Sequence, residues 1–395
     1  MLEICALFCS FFALIPFDLT TECQQVHTAL EEKIPGYVWN IREIGDGNIN
    51  YIYLADAKEK KVLLKKALDY ARINPEKFPL PIERLFFEYK AYTLYQGSCP
   101  ERIPEIYFYD QGHGILAMQY LAPHVILRKG LLAGVKYPDL AEHLGTFLGK
   151  SLYLTSCYHL SETEWCANAD LFSKNVAMRN IIESLNFTDP FFGSTLNWWT
   201  SPELDAQVLE IQNDPKVQAI VQALKDKFLT FPEALCHGDL HTGSILTTEN
   251  DTRVIDTEFA YYAPISFDIG MLLANFITAA LAAKAHGIES NWLFCLAEDT
   301  WNSFEKTFRG LWKNPQLSVD DKLQEIWSDT LRLIGIEIIR RTIGVAHNAD
   351  FESIADRNLK VSIEQRALSL ARKLILEAEK LVPNAKAFEI LLKAG

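Results

Sequence analysis

Two short stretches carry side chains able to do chemistry. In His237-Gly-Asp-Leu-His-Thr-Gly-Ser-Ile245 a carboxylate, Asp239, stands between two histidines and just ahead of a glycine turn. In Val254-Ile-Asp-Thr-Glu-Phe259, Asp256 and Glu258 stand two residues apart at the end of a β-branched run. Residues i and i+2 of a strand point to the same face, so this spacing presents two carboxylates to one metal ion. One acid set apart from a paired-acid metal site is what phosphoryl transfer needs. The lone acid orients the attacking hydroxyl, and the pair supplies hard oxygen ligands for Mg²⁺ on the nucleotide phosphates.

A His-x-Asp motif followed by a second acidic motif about one hairpin later is the protein-kinase layout, here with two departures. Ser244 stands where a protein kinase carries Asn, and Asp256-Thr-Glu258 replaces Asp-Phe-Gly. The string resembles the small-sugar kinases of the aminoglycoside-phosphotransferase-like group, most closely the 5-methylthioribose kinases. The resemblance also runs through Gly45-Asp-Gly-Asn-Ile-Asn50, Lys65-Lys-Ala-Leu68, Ile126-Leu-Arg-Lys-Gly130 and Trp199-Thr-Ser-Pro202. It continues through Arg340-Arg-Thr-Ile-Gly-Val-Ala-His347 and Asp350-Phe-Glu-Ser-Ile354, and so spans nearly the whole chain.

The resemblance implies an α+β, protein-kinase-like bilobal fold. A small β-rich nucleotide-covering lobe is expected over residues 18–121, and a helical lobe with the catalytic loop and substrate site over 122–395. It implies ATP and Mg²⁺ as cofactors, and phosphorylation of the 1-hydroxyl of 5-methylthioribose in methionine salvage. Asp239 becomes the catalytic, substrate-touching acid, and Asp256 and Glu258 the metal ligands, with Thr257 between them in the nucleotide site. Lys65 would contact the α and β phosphates, and the backbone of Gln119, Tyr120 and Leu121 would form an adenine-binding hinge. Arg340 and Arg341 would contact the sugar and the transferring phosphate. Thr257 stands where the family has Pro, and Trp198 where a basic residue is expected, which would alter the mouth of the sugar site.

Each of these residues also has a plainer reading. Gly45, Gly47 and Asn48 put backbone N–H groups over phosphates, glycine allowing close approach. Taken alone, with Asn50 in place of a third glycine, they make an ordinary hairpin turn. Asp239 is a turn aspartate beside Gly238 or an acceptor that aligns the sugar hydroxyl and takes its proton late. His237 and His241 are read as supports of the loop, since a His-x₃-His pair off a helix is a poor zinc site. Asp268 is an N-cap or a brace for the catalytic loop. Arg340 and Arg341 interrupt an apolar helical run, either as a solvated face or as cations answered by an anion, and Glu337 could answer only one of them. The partner of Lys65 is Glu88 or Glu83, whereas Lys66, on the other face of the strand, meets solvent. Trp198 and Trp199 either form a lid or anchor a loop.

These residues must be positioned by two kinds of element. Alternating runs at 38–41, 50–54 and 61–65, with two more strands around Gly112-His-Gly114, predict about five strands, with a helix over 81–95. From Tyr120 onward helical spacing dominates, at 138–148, 207–229, 269–285, 291–311, 322–347 and 363–381. Only the catalytic hairpin, 235–259, interrupts it.

Composition bounds the rest. The chain has 395 residues, 49% apolar and 23% charged, enough for two cored lobes. A net charge of −13 argues against a nucleic-acid partner but not against ATP, which needs only a few local donors. Cysteines at 5, 9, 23, 99, 157, 166, 236 and 295 form no Cys-x-x-Cys pair. Free, mostly buried thiols in a reducing cytoplasm account for them. Residues 4–17 are apolar but follow Glu3 and no basic residue, so a mis-assigned start or a hydrophobic extension is favoured over a secretory signal. The apolar run at 269–283, broken by Asn275, is read as a buried helix, and no membrane association is expected. Rival readings are a kinase of another small alcohol, of aminoglycoside or choline type, and a catalytically inactive nucleotide-binding module. The oligomeric state stays open, a homodimer being one option.

Overall fold

The computed structural model describes residues 19–45, 49–71 and 79–381. The apolar extension at 1–17 lies outside the described residues, as do Gly47 and Asn48. The chain divides into two units. One takes residues up to Pro79 together with Tyr107–Tyr120, and the other takes Leu80–Ile106 together with everything from Leu121 onward.

The first unit holds helix α1 (Leu19–Lys33) and strands β1 (Asn40–Glu43), β2 (Tyr51–Asp56), β3 (Lys61–Lys66), β4 (Ile106–Asp110) and β5 (Ile115–Gln119). They form one sheet in the order β1-β2-β3-β5-β4. The neighbours β1/β2, β2/β3 and β3/β5 run antiparallel, with Lys65 opposite Ile52 and Leu116. Strand alternation sends Tyr53, Ala55, Val62 and Leu64 to one face, where Val26, Ala29 and Leu30 of α1 cover them. Lys65 points to the face opposite. Lys66 shares the α1 face, so the expectation that it meets solvent fails. It is buried and donates through Nζ to the carbonyl of His113. Burial lowers its pKa, against the opposing charges of Glu22 and Asp110. The helix that covers it was not anticipated from the sequence.

The second unit begins with α2 (Arg84–Ser98). This helix was expected with the sheet. It groups instead with the helical unit, because its buried face carries Tyr95, whose hydroxyl donates to the carbonyl of Leu235, and Arg84, which pairs with Glu258. Next come β6 (Val125–Ile126), α3 (Leu127–Leu132), α4 (Leu140–Leu154), α5 (Glu162–Ser173) and α6 (Val176–Ile182). A π-helical turn (Glu183–Thr188) leads through α7 (Asp189–Phe192) to α8 (Asp205–Gln212) and α9 (Pro215–Thr230). The single helix expected over 207–229 is therefore two. Asp214 caps α9 by accepting from the N–H groups of Lys216 and Val217, and Pro215 opens that helix.

The hairpin region supplies β7 (Ala234–Cys236), β8 (Ile245–Thr247), β9 (Thr252–Val254) and β10 (Tyr261–Ala263), arranged as the small sheets β6-β8-β9 and β10-β7. The core helices follow: α10 (Ser266–Ala282), α11 (Asn291–Leu311), α12 (Val319–Ile343), α13 (Ala349–Glu352) and α14 (Arg357–Glu377). The span Ser266–His286 is long and apolar enough to cross a membrane, yet residues 266–283 are buried in the helical unit and Lys284 near its end is exposed. Among the described residues the cysteines are all free. The expectation of mostly buried thiols does not hold: Cys99 and Cys236 are buried, whereas Cys166 and Cys295 are exposed.

Candidate active site

The loop 237–244, between β7 and β8, is fixed almost entirely through its backbone. The amides of His237 and Gly238 donate to the two oxygens of Asp268, at 2.6 and 3.1 Å. Asp268 lies in the first turn of α10 and is the brace of the two readings left open, since the helix N-cap is Ile265. His237 accepts from the amide of Asp239 at Nδ1 and donates from Nε2 to the carbonyl of Ile255 at 2.8 Å. Gly238 has φ +89°, and a Cβ there would come within 2.2 Å of the carbonyl oxygen of Phe259. Only glycine lets the loop pass so close to the 255–259 segment. Ser244 donates its hydroxyl to the carbonyl of Asp239 and accepts from the amide of His241, so it holds the loop.

Asp239, about a quarter exposed, is the acid this frame presents. Its Oδ1 lies 3.7 Å from Nη2 of Arg340 and 3.6 Å from Nη2 of Arg341, and its Oδ2 lies 3.4 Å from Nε2 of His241. Burial pushes its pKa up, but His241, Arg340 and Arg341 outweigh that and hold the carboxyl well below its usual range. His241 goes the other way. Burial, helped by Arg128 and Arg341, pushes it down to about 4 despite Asp239. Its Nδ1 receives the amide of Gly243 at 2.8 Å and faces Nη2 of Arg128 at 3.2 Å, which leaves the proton of a neutral ring on Nε2, toward Asp239.

Arg340 and Arg341 lie in α12, each only 6% exposed, so the solvated-face reading is excluded. Glu337 answers both rather than one. Its Oε2 accepts from Nη1 of Arg340 at 2.9 Å and its Oε1 from Nε of Arg341 at 2.7 Å. A single carboxylate one helical turn back can do this because positions three and four residues away share its face. Arg341 also donates through Nη1 to the carbonyl of Ala346 at 3.2 Å.

The second acidic motif is placed differently from its sequence reading. Strand β9 ends at Val254, and Asp256 sits beyond it at φ +71°, so strand alternation does not orient the two acids. The loop is held by other groups. The backbone amide of Asp256 donates to the hydroxyl of Tyr92, and the side-chain Nδ2 of Asn175 donates to the carbonyls of Glu258 and Ala260. The side chain of Thr257 is buried and donates toward the carbonyl of Glu88. Glu258 is buried with its Oε2 3.4 Å from Nε of Arg84. Of the alternatives for Lys65, Glu88 is buried and Glu83 exposed.

In the first unit, Lys65 is 5% exposed on β3 and Gly45 has φ +79° just after β1. Gln119 ends β5, and the two units part between Tyr120 and Leu121. Both tryptophans make contacts that hold their loop. Trp199 donates to Asp205 at 2.7 Å, and Trp198 stacks on His347 with ring centroids 3.5 Å apart.

Sequence reasoning gave no site role to Arg128, or to Asn275, which it read only as a break in an apolar run. Arg128 donates from Nε to the hydroxyl of Thr242, and from Nη2 it reaches both His241 and Oδ1 of Asn275. The available signal was an arginine inside the Ile126–Gly130 motif with no assigned task.

A catalytic loop of this kind, on this fold, defines a phosphotransferase, and residues 40–301 match the phosphotransferase enzyme family. Methylthioribose kinase 1 of Oryza sativa subsp. japonica is 36% identical over 362 residues, covering 85% of this chain and 84% of that one. The methylthioribose kinase of Bacillus cereus is 39% identical over 341 residues, with 84% and 86% covered. A solved choline kinase from Cryptosporidium parvum superposes with a TM-score of 0.48 at 13% identity, over 93% of this chain and 99% of that one. The chain belongs to the phosphotransferase enzyme family, among the methylthioribose kinases.

Proposed function

We propose that this chain transfers the γ-phosphoryl group of ATP to the 1-hydroxyl of 5-methylthioribose, giving the 1-phosphate in methionine salvage, with Mg²⁺ as its metal and the cytoplasm as its compartment. The observation that carries this reading is the convergence of two guanidinium groups on one oxygen of Asp239, at 3.7 and 3.6 Å, with a single buried carboxylate balancing both. The sugar itself comes from the relatives' names.

The roles follow from the chemistry of each group. Asp239 is ionised at neutral pH and a weak base, so it accepts a hydrogen bond from the 1-hydroxyl and aligns that oxygen with the γ-phosphorus. As the new P–O bond forms and the bond to ADP breaks, the hydroxyl proton passes late to Asp239. Arg340 and Arg341 stabilise the charge that spreads over the transferring group. Lys65 and the turn at Gly45 serve the nucleotide phosphates, and the backbone at Gln119, Tyr120 and Leu121 serves adenine.

Among the described residues no three His, Cys, Asp or Glu side chains gather into a closed metal cage. A pair of carboxylates is nevertheless what Mg²⁺ takes when phosphate oxygens and water complete its shell, and Asp256 and Glu258 fit that donor set. Bound there, the ion would neutralise phosphate charge. Glu258 shares its carboxylate with Arg84, which makes Asp256 the stronger ligand.

The test is ADP release across methylthioribose, ribose, choline and kanamycin, run on the parent and on Asp239→Asn. Methylthioribose should be the preferred acceptor, and the variant should lose roughly 10²–10⁴-fold in kcat while still binding ATP. Preference for choline or kanamycin would sink the substrate assignment, and a variant keeping more than about a tenth of parental kcat would remove Asp239 from its role.

A further inference from the structure

The segment joining α12 to α13 is tied down at both ends to the groups around Asp239. At one end, Ala346 accepts from Nη1 of Arg341, whose Nη2 lies 3.6 Å from Oδ1 of Asp239. At the other, Oδ2 of Asp350 lies 3.6 Å from Nε of Arg128. Arg128 in turn reaches Nδ1 of His241, whose Nε2 faces Oδ2 of Asp239. The segment between these ties is therefore pinned to both oxygens of the acceptor acid. Trp198 clamps it from outside, donating to the carbonyl of Val345, while His347 approaches the carbonyls of Trp198 and Gly344.

Asn348 stands midway between the two ties. It is 3% exposed, yet neither its Nδ2 nor its Oδ1 has a hydrogen-bond partner among the described residues. It is the N-cap residue of α13 by position but makes no side-chain cap bond. A buried amide with both ends unsatisfied is rare in folded chains and calls for a ligand or water to answer it. Oδ2 of Asp350, also buried, lacks a hydrogen bond as well.

We infer that the Asn348 side chain is the specificity-determining contact for the vicinal hydroxyls of the furanose ring. This rests on the sugar-kinase reading above. An amide presents a donor and an acceptor side by side, the complement of a cis-diol in which one hydroxyl donates and its neighbour accepts. Oδ2 of Asp350 is a second acceptor two residues away. A site built this way rejects a sugar lacking a hydroxyl, because the buried amide is then left unanswered.

The experiment crosses two enzymes with three substrates: the full-length parent and Asn348→Leu, each with methylthioribose and its 2-deoxy and 3-deoxy analogues. For the parent, loss of a ring hydroxyl should lower kcat/KM by roughly ten- to a hundredfold. Asn348→Leu should lower kcat/KM for methylthioribose by a similar factor, with the KM for ATP unchanged, and should no longer discriminate against at least one deoxy sugar. Its melting temperature should hold or rise, because the replaced amide has no partner to lose. A drop in melting temperature with discrimination intact would make Asn348 structural and overturn the inference. Asn348→Ser carries the same comparison should the leucine variant fail to fold. An active parent with additive losses overturns this inference alone, whereas a parent inert toward methylthioribose overturns the function and the inference together.

Discussion

At the scale of the residue, the site is a balance of charge around Asp239. Arg341→Met keeps length and helix propensity while removing the charge. Its kcat should fall by roughly 10²–10³-fold with little change in ATP affinity, as for the loss of one preorganised donor. Arg341→Lys should recover only part, because an ammonium cannot bond Glu337 and Ala346 together as the planar fork does. Kinetics and ATP titration on both variants check this, and unchanged kcat in Arg341→Met would detach the arginine from the reaction. His241 gives a pH signature. The folded chain keeps it neutral down to about 4, whereas the free side chain takes a proton near 6.5. Between those values the unfolded chain binds more protons, so His241 makes stability fall as pH drops through that window and has no such effect above it. His241→Asn should flatten the stability profile from pH 6.5 to 4 by on the order of 2 kcal/mol, read by urea unfolding at each pH. A variant profile that overlays the parent would refute the buried neutral ring. Part of this scale was legible in the sequence, since its motifs single out Asp239 and the twin arginines, and the fold brings both guanidinium groups within 3.7 Å of that acid. What escaped was reach: nothing in a one-dimensional spacing shows one Glu337 carboxylate serving two guanidinium groups, or Arg128 crossing to His241.

At the scale of the element, close helix packing makes one glycine indispensable. A glycine-to-alanine change inside a helix ordinarily stabilises by about 0.5–1 kcal/mol. At Gly335 of α12 a Cβ would stand 2.5 Å from the carbonyl oxygen of Ala371 on α14, a backbone atom that cannot turn aside. Gly335→Ala should therefore destabilise by about 2 kcal/mol, seen as a lower urea midpoint. A higher midpoint would mean that the helices separate at little cost. Helix α11 was read at its observed bounds because its apolar stripe is uninterrupted. Two elements were misread for identifiable reasons. The Asp214-Pro215 break was overlooked inside a continuing apolar period, and the strand before Asp256 was extended through residues that turn at φ +71°. Helix α1 went unseen, its short Val26, Ala29, Leu30 stripe lying among polar residues.

At the scale of the whole molecule, neither unit is one continuous piece of chain. Helix α2 belongs to the second unit but lies in sequence between β3 and β4 of the first. A fragment ending at residue 120 thus carries Arg84 without Glu258 and Tyr95 without Leu235. Such a fragment should show no cooperative urea transition by far-UV circular dichroism. A sharp two-state transition would make the sheet independent of the helical unit. The sequence placed the boundary by change of texture, and texture cannot show that a helix flanked by strands finds its partners more than a hundred residues downstream.

That discontinuity sets a clock on biosynthesis. Tyr95 leaves the ribosome 140 residues ahead of Leu235, the backbone its hydroxyl will meet. At translation speeds of about 5–20 residues per second, the apolar side of α2 waits roughly three to ten seconds for the ring of Phe147, and Tyr95 waits roughly seven to thirty seconds for Leu235. Over that interval the nascent chain shows a sticky surface that no later repair of the finished protein can hide. The yield of folded chain should then depend on how quickly codons 96 to 235 are read, and on a chaperone that holds the helix meanwhile.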